Sequence, residues 1–423
     1  MKRKASAAGL LAVVGSLLCN LTACGRIQTG APAALTANAT NLSADIQPQN
    51  VNGKKADSDF IISQTAFALQ LMQHAAAADS QENVLISPFS VMQALAMTAN
   101  GADGETLAEM AKVLGTDIDT LNEYLYTLRT SQQNTADARL VSANSIWFRD
   151  DKERISVLPE FLQKNADYYG AASYASAFDQ GTADAINAWV SVNTDQMIPK
   201  LIESIKKDDV MYLINAVAFD AKWEKQYQPE DIEQRDFTCF DGTKKPVQMM
   251  LSEESNYYGT DHAVGFAKYY RGGKYAFAAL LPEEGLSPAD FLASMTAEDL
   301  ASLLASPQSC KVSAGLPQFT FDYDTELSGA LADMGMASAF ENADFSRIAK
   351  NNALQISAVL HKTHIEVDAD GTKAAAATAI VATDGALMEP EDIKYVILDR
   401  PFVCMILDTE TNLPVFIGTV GDF

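Results

Sequence analysis

Apolar residues recur at helical spacing through the first third of the chain. Phe60, Phe67 and Leu71 fall on one face of a predicted helix, and residues 90–98 form a second helical run shortly after a proline, which the first turn of a helix tolerates. A third run of helical period ends at Gly115, as glycine is the usual residue just past a helix C-terminus. This part of the chain is therefore predicted to be mostly helical.

Alternating apolar residues predict strands farther along the chain. Residues 143–148 are strand-like, and two alternating runs surround a glycine pair within residues 269–281, which predicts a hairpin with a tight turn. The apolar runs 402–407 and 415–420 predict a second hairpin at the C-terminus. Helices come first and strands later, with no repeat or internal linker, so residues 57–423 are predicted to form one α+β domain.

One stretch, residues 371–379, has a composition that contradicts its surroundings. Its alanines have high helix propensity. The residues before it, including Val359, Ile365 and Val367, favour a strand. Small side chains without large apolar anchors suit a strand that must enter a crowded sheet centre. We therefore expect this stretch to be able to change its conformation.

The composition excludes several classes of protein. An apolar fraction of 48% in 423 residues is enough to bury a substantial core, so disorder of the whole chain is excluded. The net charge of -24 argues against nucleic acid as a partner, because a phosphate-binding surface needs clustered Lys and Arg. Beyond Cys19 and Cys24, the three remaining cysteines are spread far apart and predict neither a disulfide framework nor a zinc site.

The N-terminus has the pattern of an export signal. Residues 2–4 are basic, and the apolar run 5–18 is too short to span a bilayer comfortably. The residues before Cys24 resemble a bacterial lipobox, whose cysteine is diacylated and becomes the mature N-terminus, and two acyl chains give stable anchoring. We predict a signal peptide at 1–23 and an extracellular, cell-surface lipoprotein anchored at Cys24, with ordinary secretion as the alternative.

Residues 24–56 are rich in Ala, Thr, Asn, Gln and Pro and show no apolar periodicity. Such a composition is typical of a flexible tether, which is our prediction for this segment. Membrane contact is then expected only through the lipid anchor.

Candidate catalytic residues are few. Only His74, His262, His361 and His364 could supply an imidazole base. The last two are three residues apart in strand-like sequence, so they are expected to point to opposite faces and cannot share a metal. No nucleophile elbow, phosphate-binding loop or zinc-protease motif occurs. We predict that the protein is not an enzyme and uses no metal and no cofactor.

Separated motifs resemble the serpin family. The stretch 371–379 resembles the hinge of the serpin reactive-centre loop, and the order of the other matches along the chain is that of the family. These matches are 83–101 (NVLISPFSVMQALAMTANG), 186–202 (INAWVSVNTDQMIPKLI), 213–227 (LINAVAFDAKWEKQY), 316–340 and 399–418. The resemblance implies the serpin fold, which is an α+β fold with three β-sheets, eight or nine helices and an exposed reactive-centre loop.

The resemblance also implies a mechanism. A target protease cleaves the exposed loop, and before the acyl-enzyme is hydrolysed the cut loop inserts as a new strand into the large sheet. The protease is carried to the far pole and its active site is distorted. The expected function is suicide inhibition of a serine protease, with a cysteine protease as another possible target. The alternative is a non-inhibitory serpin that is a protease substrate or binds a ligand or partner.

The hinge residues implied by the resemblance are Gly371, Thr372, Lys373, Ala374, Ala375, Ala376, Ala377 and Thr378. On an inserted strand, alternate residues from Thr372 onward would enter the core and Lys373 would face outward. A bulky or charged inward residue would slow insertion. Lys373 and Ala369 stand where many inhibitory members have Glu, but neither change is inward-facing.

The bond to be cleaved is expected at Gly385–Ala386, counted from the hinge. Because the interval to Pro401 is longer than in typical serpins, the prediction is a window: Asp384, Gly385, Ala386, Leu387 and Met388. No Lys or Arg occurs between Lys373 and Lys394, so a protease that requires a basic residue has nothing to bind there. We predict elastase-like, chymotrypsin-like or subtilisin-like serine proteases as targets.

Further residues match two regions of the large sheet that serpins open during insertion. Ser87, Ser90, Asn187 and His361 match the shutter, a polar cluster beneath the sheet. Trp223 matches the tryptophan of the breach, at the top of the sheet. Each could instead be a local cap, turn or core residue.

Overall fold

The computed structural model describes residues 33–79, 81–132, 134–151, 155–350, 354–372 and 393–423. Its strands are β1 (Ala39–Asn41), β2 (Val84–Ile86), β3 (Ala138–Arg149), β4 (Ala172–Ser176), β5 (Met211–Lys222), β6 (Ile232–Thr238), β7 (Lys244–Gly259), β8 (Ala263–Tyr269), β9 (Tyr275–Pro282), β10 (Gln308–Pro317), β11 (Phe319–Glu326), β12 (Ala358–Val367), β13 (Gly371–Thr372), β14 (Lys394–Ile397), β15 (Phe402–Asp408) and β16 (Pro414–Val420).

The α-helices are α1 (Ala33–Asn38), α2 (Ser58–Ala78), α3 (Pro88–Ala99), α4 (Gly104–Leu114), α5 (Ile118–Ser131), α6 (Pro159–Tyr169), α7 (Gln180–Asn193), α8 (Pro288–Ser294), α9 (Ala297–Ala305) and α10 (Ser328–Leu331). Shorter or irregular helical turns cover Pro229–Asp231, Ala332–Met336 and Ala337–Ala339.

Two hydrogen-bonded sheets contain these strands. The large sheet has seven strands in the order β1-β4-β3-β5-β13-β12-β11. The second sheet has the order β14-β10-β7-β8-β9-β15-β16-β2, with β6 paired to β7. The three sheets implied by the resemblance join into two here, because the long strand β7 pairs with β10 along most of its length and with β8 at its end. The predicted α+β class is confirmed.

The periodic segments of the sequence form the predicted elements. Helix α2 contains the predicted face of Phe60, and its first turn is capped by Asp57, whose side chain accepts a hydrogen bond of 3.0 Å from the Phe60 N–H. Helix α4 ends at Gly115 in the left-handed conformation, with a φ of 83°. The glycine-turn hairpin is β8–β9, and the terminal hairpin is β15–β16.

The large sheet lies between helices on its two faces. Helix α3 packs against β3 and β5 on the side of the main core. On the other face, Ile186 and Trp189 of α7 join a second apolar cluster with Trp147 of β3 and Ile214 of β5. The middle of the sheet is therefore buried on both sides, so any polar group there must find a partner inside the protein.

The predicted tether is wrong for residues 33–56, which the structure shows packed on the domain; we call them the N-terminal strap. Leu35 of α1 is buried in the cluster beneath α7, and β1 pairs with β4 as an additional edge strand. Farther on, the backbone N–H of Gln49 donates to the Asp167 side chain, and that of Lys54 donates to the Glu123 carbonyl. An exposed sheet edge binds a segment through its backbone, which requires no apolar periodicity.

The compact unit that contains these elements runs from Pro32 to Phe423. Cys24 and the predicted signal peptide lie outside the described residues. Within the ranges described above, none of the helices has both the length and the hydrophobicity needed to span a bilayer.

Candidate functional site

In the centre of the large sheet, the partner of β5 changes near the C-terminal end of this strand. Residues Ala358–His364 of β12 pair in parallel with Tyr212–Ala218 of β5, and we call this paired stretch the seam. Beyond the seam, at the C-terminal end of β5, β13 lies between the same two strands and pairs antiparallel with both. A strand entering the sheet behind β13 would therefore have to separate the two strands of the seam.

The first two hinge residues already belong to the sheet. Gly371 is opposite Lys222, and Thr372 is opposite Ala221 on one side and Val367 on the other. The Thr372 side chain is fully buried, and its Oγ1 lies 2.6 Å from the Tyr270 hydroxyl oxygen. The backbones approach so closely that a Cβ on Gly371 would lie 2.0 Å from the Ala221 carbonyl oxygen, so only glycine fits at this position.

The rest of the predicted loop lies outside the described residues. This holds for Lys373, Ala374, Ala375, Ala376, Ala377 and Thr378 of the hinge, and for the scissile window Asp384, Gly385, Ala386, Leu387 and Met388. Their assignments stay predictions.

Trp223 lies beside the hinge, directly after β5. Its ring stacks on Tyr270 at a centroid distance of 4.4 Å, and its indole N–H donates a 2.8 Å hydrogen bond to the Asp368 carbonyl. Burial raises the pKa of Tyr270 well above its ordinary value, so its hydroxyl keeps its proton. Trp223 thus contacts both the chain segment before the hinge and the tyrosine that bonds Thr372.

A buried ion pair supports this aromatic group. The Lys268 ammonium lies 2.9 Å from a carboxylate oxygen of Glu254, and Lys268 is only 3% exposed. The same ammonium is 4.3 Å from the centroid of the Tyr227 ring and 5.6 Å from that of Trp223. A desolvated cation over aromatic rings is favourable, so Lys268 helps to fix the two rings in place.

A buried polar cluster crosses the seam at the neighbouring residues Asn215 and His361. Asn215 of β5 and His361 of β12 are direct neighbours in the sheet, and their side chains are hydrogen-bonded. The Asn215 amide also donates to Ser90 of α3 and to Asn144 of β3. The Ser87 N–H donates a 3.0 Å hydrogen bond to His361 Nε2. The cluster therefore links α3 to three strands of the large sheet.

The contacts of His361 define its protonation state. Because Nε2 accepts a hydrogen bond, the ring proton is on Nδ1 and is donated to the Asn215 side-chain oxygen. Burial lowers the pKa of His361 from 6.5 to about 3, since no water solvates the charged form. A second proton on Nε2 would also point at the Ser87 N–H. The closed seam therefore requires neutral His361.

The assignment of Asn187 to this cluster is wrong. Asn187 is on α7, where its side-chain oxygen accepts from the N–H groups of Leu201 and Ile202 at 2.8 and 3.0 Å. Its amide donates to the Ile202 carbonyl at 2.8 Å. All these partners belong to the segment after α7, so Asn187 fixes that segment and does not cross the seam.

Sequence reasoning missed the residue that occupies the centre of the cluster. Asn215 lies in β5, within a run of nine consecutive buried residues from Met211 to Phe219. It is the only amide-bearing side chain in that run, and this was the available signal, because a polar residue in an otherwise apolar central strand must find a buried partner. Two residues of β3 were also missed: Asn144, which accepts from the Asn215 amide, and Ser142, whose Oγ lies 2.8 Å from Ser90 Oγ.

Other ionisable residues do not form a site. His262 and His364 pair with Glu283 and Asp322 at 2.8 and 2.6 Å on the surface. Burial raises the pKa of the Cys404 thiol to about 12, so it is no nucleophile. Within the described ranges, no group of three or more His, Cys, Asp or Glu side chains is arranged to hold a metal ion.

Comparison with known proteins agrees with this geometry. The family model described as "Serpin (serine protease inhibitor)" matches residues 62–423. A serpin-like protein of Thermococcus kodakarensis is 31% identical over 349 residues, which are 81% of this chain and 81% of that protein. Leukocyte elastase inhibitor A of Mus musculus is 29% identical over 376 residues, which are 84% of this chain and 97% of that protein.

Among solved structures, the thermophilic serpin tengpin in its native state has a TM-score of 0.87 and 42% identity, covering 91% of this chain and all of that one. Tengpin in its latent state gives a TM-score of 0.76. The described residues are thus more similar to the native arrangement than to the latent one.

Proposed function

Because the chain belongs to the serpin family, we propose that it is a suicide inhibitor of serine proteases that traps its target covalently by strand insertion. The family consists in general of inhibitors and not catalysts. The finer proposal is that the loop is cleaved between Asp384 and Met388 and that the cut hinge inserts between β5 and β12.

One observation carries this proposal. Gly371 and Thr372 are already paired between β5 and β12, whereas the same two strands pair directly with each other below. Two residues of the inserting strand are therefore already in place, and the seam closes the rest of the path that this strand would follow between β5 and β12. The polar cluster of Ser87, Ser90 and His361 lies on this path and provides hydrogen bonds that must be exchanged when the seam opens.

The target class follows from the loop sequence and one relative. Residues 374–393 contain no Lys or Arg, which disfavours proteases with an acidic specificity pocket. Ala386, Leu387 and Met388 fit small or apolar pockets, and a relative bears the name leukocyte elastase inhibitor A. We propose elastase-like enzymes first, then chymotrypsin-like and subtilisin-like ones, with a cysteine protease as a further possible partner.

The test is to mix the domain with pancreatic or neutrophil elastase and to separate the products on a denaturing gel. We expect a covalent band near the sum of the two masses with elastase and none with trypsin. Thr372→Arg places a charge at a buried position, so its complex band should fall while cleavage persists. Lys373→Arg is the matched control, because the outward position should tolerate it.

A gel that shows only clipped protein would reject inhibition. That result would support the second candidate, a non-inhibitory serpin that is a substrate or binds a partner. Unchanged complex formation by Thr372→Arg would reject the inward assignment of this residue.

We also propose that the protein is exported and anchored by lipid at Cys24. The relatives reported above are archaeal and eukaryotic, so this proposal depends on the N-terminal pattern of basic, apolar and lipobox residues alone. Wild-type protein should fractionate with membranes, and Cys24→Ser should be released. If wild-type protein and Cys24→Ser were both found in the medium, ordinary secretion would be the better explanation.

A further inference from the structure

A tight turn connects β12 to β13 and reverses the chain into the sheet. The Asp368 N–H donates a 2.9 Å hydrogen bond to the Gly371 carbonyl, which closes the turn. The Asp368 carboxylate oxygen Oδ1 accepts from the N–H groups of Asp370 and Gly371 at 2.8 and 3.0 Å. One side chain therefore satisfies two backbone donors that the reversal of the chain leaves without strand partners.

The outside of the turn is bound by the segment that follows β5. The carbonyls of Asp368 and Asp370 accept from the indole and backbone N–H groups of Trp223, at 2.8 and 2.9 Å. The Ala369 carbonyl accepts from the Tyr227 N–H at 3.0 Å. Together with the Gly371 carbonyl, all four carbonyls of the turn have a donor. The turn is thus a defined unit docked on Trp223–Tyr227.

This turn fixes the register of the strand that follows. Thr372 comes directly after it and faces Ala221 and Val367, so every later residue of an inserting strand has its position on β5 determined by where the turn ends. A shift by one residue would exchange the inward and outward sets and direct the Lys373 ammonium into the core. Accurate insertion therefore requires that the turn is formed before the loop moves.

We propose that Asp368 is a positioning residue for inhibition, which holds the turn that starts strand insertion and sets its register. This inference rests on the proposed function and deepens it. Asp368 acts through the backbone of Asp370 and Gly371, and it has no contact with a protease in this role. Without its carboxylate the turn should open, so insertion should start later and lose the competition with hydrolysis of the acyl-enzyme.

The chemistry of the turn predicts which substitution is tolerated. The interaction requires a short side chain with an acceptor oxygen, which Asn supplies as well as Asp. Burial raises the pKa of the Asp368 carboxyl, so its negative charge is not favoured by the surroundings. Asn should therefore replace Asp368, whereas Ala should not.

The experiment compares Asp368→Ala and Asp368→Asn in the full domain with a matched control, Asp370→Ala. Asp370 is in the same turn and carries the same charge, but among the described residues its side chain accepts from the Gln226 amide, at 2.9 Å, and not from a backbone N–H of the turn. The measurements are the ratio of cleaved to complexed inhibitor with elastase, the rate of protease association and deuterium uptake by the peptide 364–372.

For Asp368→Ala we expect the ratio of cleaved to complexed protein to rise at least about fivefold, because the loss of one hydrogen bond slows a step by about that factor and this variant loses two. Association should stay within about twofold, because the loop that the protease binds is unchanged. Deuterium uptake in 364–372 should be faster. Asp368→Asn and Asp370→Ala should behave like wild type.

The role of Asp368 would be overturned if the ratio of cleaved to complexed protein were unchanged in Asp368→Ala. It would also be overturned if this ratio rose equally in Asp370→Ala. An Asn variant as impaired as the Ala variant would overturn it as well. If wild type itself forms no complex, the proposed function fails, and the turn is then judged by deuterium uptake alone: equal uptake in wild type and Asp368→Ala rejects it, and faster uptake in the variant supports it.

Discussion

At the scale of single residues, His361 gives the native sheet a defined response to acid. Its pKa is about 3 in the folded protein and 6.5 ordinarily, so between these values the unfolded chain binds more protons. The stability that depends on neutral His361 is therefore complete above pH 6.5 and is lost as the pH falls towards 3. From pH 7.5 to 5.5, this residue alone should lower the free energy of unfolding by about 1.4 kcal/mol.

The measurement is urea unfolding of wild type and His361→Gln at both pH values. The variant should be less stable at pH 7.5, because Gln cannot reproduce both ring hydrogen bonds, but its loss on acidification should be smaller by about 1.4 kcal/mol. His364→Gln, on the outward face of the same strand, is the control and should keep the pH response of the seam. An unchanged slope in His361→Gln would contradict the neutral buried histidine.

The residue scale also shows what the sequence could and could not predict about the site. Ser87, Ser90 and His361 match the family at each position, and the structure brings them together. Asn187 was placed wrongly because a motif match says nothing about the direction of a side chain. Asn215 was overlooked, although its position in an apolar strand marks it as a residue with a buried partner.

At the scale of elements, the N-terminal strap is expected to contribute measurable stability. Leu35 is 6% exposed within the cluster that includes Trp189 of α7. Truncation to Ala should cost about 2 kcal/mol, near the lower end for a buried leucine, because a terminal helix can also detach. Thr40→Ala in the exposed part of β1 is the control and should unfold like wild type in urea. Equal urea midpoints for wild type, Leu35→Ala and Thr40→Ala would show that the strap does not stabilise the domain.

Elements with a strong period were predictable, and those held by neighbours were not. Helix α2 and hairpin β15–β16 have patterns that state which face is buried, and both were predicted. Strand β1 has three residues and no pattern; it exists because β4 offers an unpaired edge. Strand β13 is shorter still, and its formation depends on β5, β12 and the docked turn.

At the scale of the whole molecule, strand insertion implies that the native form is held above a more stable cleaved form by a kinetic barrier. Cleavage of the loop between residues 384 and 388 should therefore raise the thermal midpoint by tens of degrees, because a full strand adds many kcal/mol of pairing and burial. The measurement is a thermal scan before and after limited proteolysis with elastase.

Thr372→Arg, cleaved in the same way, is the control for this scan. Its midpoint should rise much less, since the charged side chain opposes insertion. If intact and cleaved wild-type protein melted at the same temperature, the insertion mechanism would be wrong for this serpin.

The antiparallel register of β13 sets the distance over which a bound protease would be carried. Gly371 is opposite Lys222 and Thr372 opposite Ala221, so the same pairing continued down the sheet brings Ala382 opposite Met211, the first residue of β5. The predicted bond after Gly385 then lies just past the end of that strand. At about 3.4 Å per residue, Lys373 to Gly385 span about 44 Å. The inserted loop is therefore long enough to carry a covalently bound protease along the full length of β5 and past its first residue, Met211.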